Sequence, residues 1–215
     1  MTNDILAIYK PKGPTSHDII NQLRKITGVK KIGHAGTLDP LARGVLVVGI
    51  GREATKCLNT IVQKEKEYIA TIKLGEESAT DDQEGTKKKV KVVKKPALSE
   101  IKKVVNRFQG EISQKPPIYS AVKIKGKKAY QLARRGKQVD LKFRQVEIKA
   151  IEILQYRWPY LKLRTVTGPG VYIRSLARDI GSKLKTGGFL ADLERTRVGS
   201  FTKEKSLSLE ELSNG

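Results

Sequence analysis

The sequence predicts an α+β fold with a mainly antiparallel central sheet flanked by helices and loops. Strand-type and helix-type stretches both occur along the 215 residues, but without the regular strand–helix alternation of a parallel α/β protein. Two long strand-like stretches, 143–157 and 160–168, follow each other almost directly, which is typical of an antiparallel pair. With 38% hydrophobic residues the chain can bury a core, and no repeat or long linker divides it.

The N-terminal elements follow from short patterns. The stretch DILAIYK, residues 4–10, predicts a first strand and leads into a turn rich in proline and glycine. A helix follows, with Ser16 as its expected cap and Gly28 as its end. Its apolar residues lie on one face: Ile19, Ile20, Leu23 and Ile26. The continuous apolar run 45–50 predicts a buried strand, and a short helix is expected over 54–62.

The middle of the chain begins with an alternating strand at 67–75. An acidic loop at 77–85 and a lysine-rich extended stretch at 86–96 are expected on the surface. A helix is predicted at 98–110, with Ser99 as cap and Gly110 as terminator.

The remaining elements are an alternating stretch at 118–126, a short basic helix at 128–136, the strand pair described above, and a helix at 171–184. The last helix places its apolar residues on one side. Those residues are Leu176, Ile180 and Leu184.

The charge of the chain points to a polyanionic partner. There are 43 Lys+Arg and 22 Asp+Glu, giving a net charge of +21 and a pI near 10.0. Residues 86–150 alone hold 20 basic and 4 acidic residues. A solvated lysine face is the simpler interpretation, but this asymmetry favours contact with nucleic acid.

Several classes of site are excluded by composition and spacing. A single cysteine, Cys57, cannot form an intramolecular disulfide, and only two histidines are present, so no zinc site can be built from Cys and His. The stretch 49–54 lacks the third glycine of a dinucleotide fingerprint, and no phosphate-binding P-loop or serine nucleophile elbow occurs. Neither a signal peptide nor a membrane span is predicted, so we expect a cytoplasmic protein without metal or nucleotide cofactor.

One carboxylate remains as the best candidate for chemistry. Asp39 lies in GHAGTLDPLARG, residues 33–44, among three glycines and a proline. Such a cluster is ordinary turn chemistry, in which an Asp bonds to its own backbone. Acting on RNA, Asp39 could instead be a general base, a metal ligand or a nucleophile, although the lack of a second nearby carboxylate disfavours a metal.

The same motif resembles the TruB family of tRNA pseudouridine synthases. The motif is preceded by KPKGPTS, and further matching motifs follow it in order: ATK, KEYIATIKLG, TDDQEG, QKPPIYSAVKIKGKKAYQLARRG, GVYIRSLARDIG and LERTRVGSF. The resemblance implies a pseudouridine synthase fold. It also implies an enzyme that isomerises uridine-55 in the T-loop of tRNA to pseudouridine without cofactor or metal. It also implies that Asp39 is catalytic, that Tyr68 stacks on the target base, and that Arg174 pairs with Asp39.

The resemblance further implies a set of RNA-binding residues. His34 is expected to support the flipped-out loop, and a basic segment is expected to close over the T-loop. The implied contacts are His34, Lys10, Lys56, Asp82, Tyr119, Lys123, Lys125, Lys127, Tyr130, Arg134, Tyr172 and Leu193. The resemblance thus implies the T-arm of tRNA as the partner, and the protein is expected to be a monomer.

The chain is expected to differ from most bacterial members of this family in one respect. Those members continue into a C-terminal PUA domain, whereas we expect residues 1–215 to form a single catalytic domain with a basic RNA-binding segment at 86–150. Two alternatives stay open: a noncatalytic protein that binds or folds tRNA, and a synthase that depends on a guide RNA.

Overall fold

A computed structural model describes residues 4–124, 126–136 and 138–213. Lys125, one of the expected RNA contacts, lies outside the described residues. The helices are α1 (Ser16–Thr27), α2 (Arg52–Val62), α3 (Leu98–Asn106), α4 (Ala129–Ala133), α5 (Ile173–Lys183) and α6 (Leu209–Ser213). The strands are β1 (Asp4–Lys10), β2 (Ile32–Ala35), β3 (Ala42–Ile50), β4 (Lys66–Leu74), β5 (Glu76–Ser78), β6 (Lys87–Lys89), β7 (Gly110–Gln114), β8 (Lys123–Ile124), β9 (Lys127–Lys128), β10 (Arg144–Arg157), β11 (Tyr160–Thr167), β12 (Gly188–Val198) and β13 (Phe201–Thr202).

The chain forms two compact units. The first unit takes its described residues from 1–69, 166–169 and 193–215, and the second consists of 70–165 and 170–192. The expectation of a single catalytic domain stays a prediction. No helix within the described ranges is long and apolar enough to cross a membrane.

In the first unit, β3 is the organising strand. It pairs antiparallel with β1, from Asp4 opposite Ile50 to Lys10 opposite Gly44, and antiparallel with the short strand β2. Opposite β1, the first residues of β3, Ala42 to Gly44, pair parallel with β12. The segment that joins β2 to β3 is therefore fixed at both ends by strand pairing.

The two faces of β1 and β3 bury two apolar clusters, because successive side chains on a strand point to opposite faces. One cluster packs α1 against Ile8, Leu46 and Val48, and the other packs α2 against Val45 and Val47. Helix α1 is capped by Thr15, whose side chain accepts a bond from the Asp18 amide, and ends at Gly28 in the left-handed conformation.

In the second unit the strands follow the order β4-β11-β10-β7. Strand β7 pairs antiparallel with β10, with Gln114 opposite Arg144. Only Trp158 and Pro159 separate β10 from its neighbour β11, a connection short enough only for an antiparallel hairpin. A small separate core packs Val122, Ala129 and Leu141 beneath α4.

Most elements predicted from the sequence are confirmed, and so is the mainly antiparallel α+β class. Strand β4 alternates between buried and part-exposed residues along its whole length, as predicted for 67–75. Strand β1 and helix α1 also lie where the apolar pattern placed them. The two long strands β10 and β11 match their predicted bounds to within a residue.

The differences concern mostly ends and caps. Helix α1 is capped by Thr15 rather than Ser16, which is its first residue. Helix α3 is capped by Ala97 rather than Ser99, and it ends at Asn106, because Gly110 opens strand β7 instead of closing the helix. Among the described residues of the alternating stretch 118–126, Lys123–Ile124 alone form a strand. Strands β2 and β12 were not predicted.

Candidate active site

The Asp39 loop, residues 36–41, connects β2 to β3 and is held by the first residue of α1 and by the turn that precedes this helix. The Ser16 hydroxyl donates to the Leu38 carbonyl at 2.9 Å and accepts from the Leu38 amide at 2.9 Å. The Gly13 amide donates to the Pro40 carbonyl at 2.8 Å. The backbone on both sides of Asp39 is thus fixed by residues distant in sequence.

Strand β12 lies directly beside the end of this loop. Leu193 is paired with Ala42, and Arg195 with Gly44, in the parallel register. A Cβ atom on Gly44 would lie 2.2 Å from the Arg195 carbonyl oxygen, and the Gly44 φ of +111° is one that other residues rarely adopt. Glycine at position 44 is therefore required for the close approach that brings Arg195 to the site.

Arg195 is the central cation of the first unit. Its side chain is fully buried, and it donates from Nε to the Val45 carbonyl at 2.8 Å and from a terminal nitrogen to the Gly36 carbonyl at 3.0 Å. Burial lowers the pKa of the Arg195 guanidinium, while interactions with Tyr68 and with the Asp39 carboxylate act in the opposite direction. Arg195 thus interacts with Asp39 and Tyr68, two of the three residues that the resemblance places in the active site.

Lys10 is a second buried cation that interacts with Asp39. Its Nζ donates to the carbonyls of Pro11 at 2.9 Å and Pro14 at 2.7 Å. Burial lowers the pKa of Lys10 to about 8, and the Asp39 carboxylate partly opposes this shift. Lys10 was expected among the RNA contacts, and its environment makes it a fixed positive charge beside the Asp39 loop.

Lys66 is the third buried cation, at the start of the strand that carries Tyr68. Its Nζ donates to the carbonyls of Val62 and Lys64 at 2.8 and 2.7 Å. Burial, reinforced by the positive charge of Arg195, lowers the pKa of Lys66 to about 8.

His34 lies on β2 opposite Val48. Its Nδ1 is buried and has no hydrogen-bond partner among the described residues. Burial lowers the pKa of His34, helped by the positive charge of Arg195, which favours the neutral imidazole. The expected support of a flipped-out RNA loop stays a prediction.

Arg174 belongs to the second unit, near the start of α5. It donates to the Asp82 carboxylate at 3.3 Å, to the Tyr119 carbonyl at 2.8 Å and to the Thr80 carbonyl at 3.3 Å. Asp82 is itself buried and bonded by the Thr80 hydroxyl and the Glu84 amide. The structure thus joins Arg174, Asp82 and Tyr119, while the pairing of Arg174 with Asp39 stays a prediction.

Two further expected site residues, Tyr172 and Lys56, contact side chains close to them. The backbone amide and carbonyl of Tyr172 both bond the side chain of Gln114, at 2.8 and 3.2 Å. Lys56 lies exposed on α2 and pairs with Glu53 at 2.8 Å. Nothing about this ion pair assigns Lys56 a role toward RNA.

The Tyr130 segment, residues 119–135, carries the expected basic contacts. Lys123, Lys127 and Arg134 are exposed. The guanidinium of Arg134 lies 5.6 Å from the centre of the Tyr130 ring, and a cavity of about 490 Å³ opens beside them. The segment thus presents cations that can contact phosphates beside an aromatic ring on which a base can stack.

Sequence reasoning missed Arg195 and Lys66. In a chain with 43 Lys+Arg, nothing in the composition marks two cations as buried. Among the described residues, no group of three or more His, Cys, Asp or Glu side chains is placed to hold a metal ion.

Two family models together match the chain from residue 24 to residue 215. The model of the TruB family pseudouridylate synthase N-terminal domain matches residues 24–173. The model of the tRNA pseudouridylate synthase B C-terminal domain matches residues 174–215.

Individual relatives extend this similarity. A protein of Clostridium novyi named tRNA pseudouridine synthase B is 49% identical over 98% of this chain and 72% of its own length. Its namesake from Parabacteroides distasonis is 42% identical over 100% of this chain and 93% of its own length. Among solved structures, a chain from a Cbf5-Nop10-Gar1 complex superposes with a TM-score of 0.77 at 30% identity, covering 98% of this chain and 53% of that one.

Proposed function

Because the chain belongs to the TruB family of pseudouridylate synthases, we propose that it isomerises a uridine of tRNA, uridine-55 of the T-arm, to pseudouridine. The observation that carries the proposal is similarity along nearly the whole chain to proteins named tRNA pseudouridine synthase B. The geometry of the first unit agrees with it, since a single carboxylate stands in a fixed loop and interacts with buried cations. A monomeric state and a cytoplasmic location belong to the same proposal.

The reaction moves one bond within a nucleotide. The bond between N1 and C1′ breaks, the uracil turns, and a new bond forms between C5 and C1′. C5 loses its proton and N1 gains one, so the composition does not change. Asp39 could attack C1′, add to C6 or remove a sugar proton, and each route requires an ionised carboxylate.

The buried cations suit that requirement. A carboxylate in a dry pocket loses its hydration, and positive charges held nearby offset the loss. Lys10 and Arg195 supply such charges, and each is held by two backbone carbonyls. We assign to Tyr68 the stacking surface for the uracil and to Arg174 a pairing role with Asp39, as the family resemblance implies.

The RNA has to open before this chemistry. Flipping a base out of its loop costs roughly a few kcal/mol, which contacts with the rest of the RNA have to repay. The exposed cations and the ring of Tyr130 suit phosphates and unpaired bases. We assign the Tyr130 segment to the T-loop on this ground, and His34 to the space left by the flipped nucleotide.

The test is direct. The purified protein is incubated with an unmodified tRNA transcript, and pseudouridine is mapped by position. We expect pseudouridine at position 55 with the wild type, and a loss of turnover of at least ~10³-fold with Asp39→Asn, because the amide can neither attack nor accept a proton.

Two other results would replace the proposal. Product that forms only after a separate RNA is added would indicate a guided synthase. Binding of tRNA without product under any of these conditions would indicate a noncatalytic tRNA-binding protein.

A further inference from the structure

The tip of the β10–β11 hairpin in the second unit carries a cavity of about 540 Å³. This volume falls within the roughly 300–1,000 Å³ typical of ligand sites. The residues that matter for its chemistry are Gln155, Arg157, Trp158, Tyr160 and Lys162. None of them belongs to the residues assigned above to the reaction or to the T-loop.

The cavity wall is held in place by backbone contacts. The Leu74 amide donates to the Pro159 carbonyl at 2.8 Å, which ties the hairpin tip to the end of β4. The Trp158 ring lies against Gly75, in ordinary van der Waals range of the position a Cβ atom would take there. The site is therefore preformed, so binding of a ligand would lose little conformational entropy in the protein.

The cations of the cavity differ from their neighbours in their pairing. Among the described residues, the side chains of Arg157 and Lys162 form no ion pair or hydrogen bond. Their neighbour Arg164 differs, because it pairs with Glu152 at 3.1 Å. No carboxylate lines the cavity, so its two charges are available to an anion.

The exposed ring of Tyr160 indicates which class of anion the cavity would bind. Tyr160 is 49% exposed beside these cations, on a sheet rather than on a mobile loop. An exposed aromatic ring on a β-sheet, flanked by Arg and Lys, is the arrangement by which sheets stack unpaired bases and neutralise the adjoining phosphates. The amide of Gln155 can both donate to and accept from a base edge or a 2′-hydroxyl.

We propose that this cavity binds an unpaired nucleotide of an RNA strand, with Tyr160 stacking on the base and Arg157 and Lys162 contacting the phosphates. The proposal rests on the proposed function in one respect, that the anionic partner is RNA. It goes beyond that function because it adds a second place where RNA is held, on residues with no part in the isomerisation.

The chain offers a specific probe, since Trp158 is its only tryptophan and lies in the cavity wall. A single-stranded ten-nucleotide oligouridylate is titrated into the Asp39→Asn protein, which cannot turn it over. Tryptophan emission reports the cavity, and the anisotropy of the labelled oligonucleotide reports total binding. We expect a saturable change of emission that weakens as salt rises.

Three variants give the expected effects. Tyr160→Ala should weaken the emission-detected binding about 10-fold, whereas Tyr160→Phe should retain it, because the stacking surface remains. The double variant Arg157→Ala with Lys162→Ala should reduce the slope of log K against log salt by about 1.4, the value for two phosphate contacts on a single strand. Lys102→Ala, an exposed lysine on α3 outside the cavity, should match the parent protein.

The outcomes separate the two proposals. Oligonucleotide that binds without changing tryptophan emission, and with an affinity that Tyr160→Ala leaves unaltered, would overturn the cavity assignment. Uridine monophosphate that binds as tightly as the oligonucleotide would also overturn it, in favour of a small-molecule site. If the wild type forms no pseudouridine in tRNA while the emission change persists, the proposed function fails and the cavity assignment stands.

Discussion

The buried cations of the first unit and the exposed cations of the Tyr130 segment carry the same charge but differ in what holds them. Lys10, Lys66 and Arg195 each donate to two backbone carbonyls. Within the described part of the chain, the side chains of Lys123 and Lys127 donate to none. Buried charge is expensive, and the carbonyl pairs lower that cost while fixing where each charge lies.

This difference teaches which charges suit chemistry and which suit binding. A charge that acts on a reacting carboxylate has to be in place before the substrate arrives, because reorganisation during the reaction costs rate. A charge that meets a phosphate can remain hydrated and adjust as RNA docks. Net charge alone, +21 for the chain, does not distinguish these two uses.

Substitution of Arg195 tests the difference between buried and exposed cations most strongly. Arg195→Ala removes the charge that interacts with Asp39 and Tyr68 and leaves the carbonyls of Val45 and Gly36 without this donor. We expect kcat on tRNA to fall by about 10²–10³-fold with KM changed less than about 3-fold, as for loss of one preorganised charge. Stability should fall by about 3–5 kcal/mol in urea unfolding.

The matched control for Arg195 lies two residues along the same strand. Arg197 pairs with Glu65 at 2.7 Å and is part-exposed, so Arg197→Ala should cost about 1 kcal/mol or less and leave kcat unchanged. Arg195→Lys keeps the charge but not the planar fork, and should fall between wild type and Arg195→Ala in kcat. Equal effects of the Arg195 and Arg197 variants on kcat would contradict a positioning role for Arg195.

Arg174 tests the same distinction in the second unit. It is buried and donates to Asp82 and to the Tyr119 carbonyl. Arg174→Lys cannot reproduce this fork, so we expect turnover to fall about 10²-fold through misplacement, with tRNA affinity changed only a few-fold. Filter binding and single-turnover assays measure the two quantities. Comparable losses in both would place Arg174 with the binding cations instead.

The Tyr130 segment should respond in the opposite way. Lys123→Ala with Lys127→Ala should weaken tRNA binding about 10-fold at low salt and reduce the slope of log K against log salt by about 1.4–1.8. Turnover at saturating tRNA should stay within about 2-fold of wild type. A loss of turnover at saturation would mean that these exposed cations act in the chemical step.

The fold could be predicted where burial follows periodicity. Strand β4 alternates cleanly, and its buried face was predicted from that alternation. Strand β12 could not be predicted, because Glu194 and Arg195 are buried in its middle and their charges conceal the strand pattern. Strand β2 was not predicted either, because the glycines of the GHAG stretch are typical of a turn and conceal its pairing with β3.

The candidate site was predictable only in part. Asp39 and Tyr68 were predicted from motifs that resemble the TruB family, and their roles stay predictions. The roles of Arg195 and Lys66 depend on burial and on backbone carbonyls from distant segments, such as Gly36 and Val45 for Arg195. Such partners are tertiary, so no local spacing in the sequence reveals them.

The cost of burying Lys66 should affect only stability, because burial and the positive charge of Arg195 lower the pKa of Lys66 to about 8. The pKa of an unfolded lysine is about 10.4, so between pH 8 and this value the unfolded state binds more protons and stability rises with pH. Lys66→Met removes that titration. The stability of the wild type relative to Lys66→Met should therefore rise by at most ~3 kcal/mol from pH 8 to 10.5 and stay level below pH 7.

Urea unfolding of both proteins across this pH range gives the difference directly, and global effects of alkali cancel because both chains share them. Lys205→Met, an exposed lysine of the same unit, controls for the loss of one positive charge. A wild-type stability that does not rise against Lys66→Met would mean that the two carbonyls on its Nζ, with any water that reaches it, fully replace its hydration. Burying Lys66 would then carry no net free-energy cost. Only the fixed position of the buried cations of the first unit would distinguish them from the exposed cations of the Tyr130 segment.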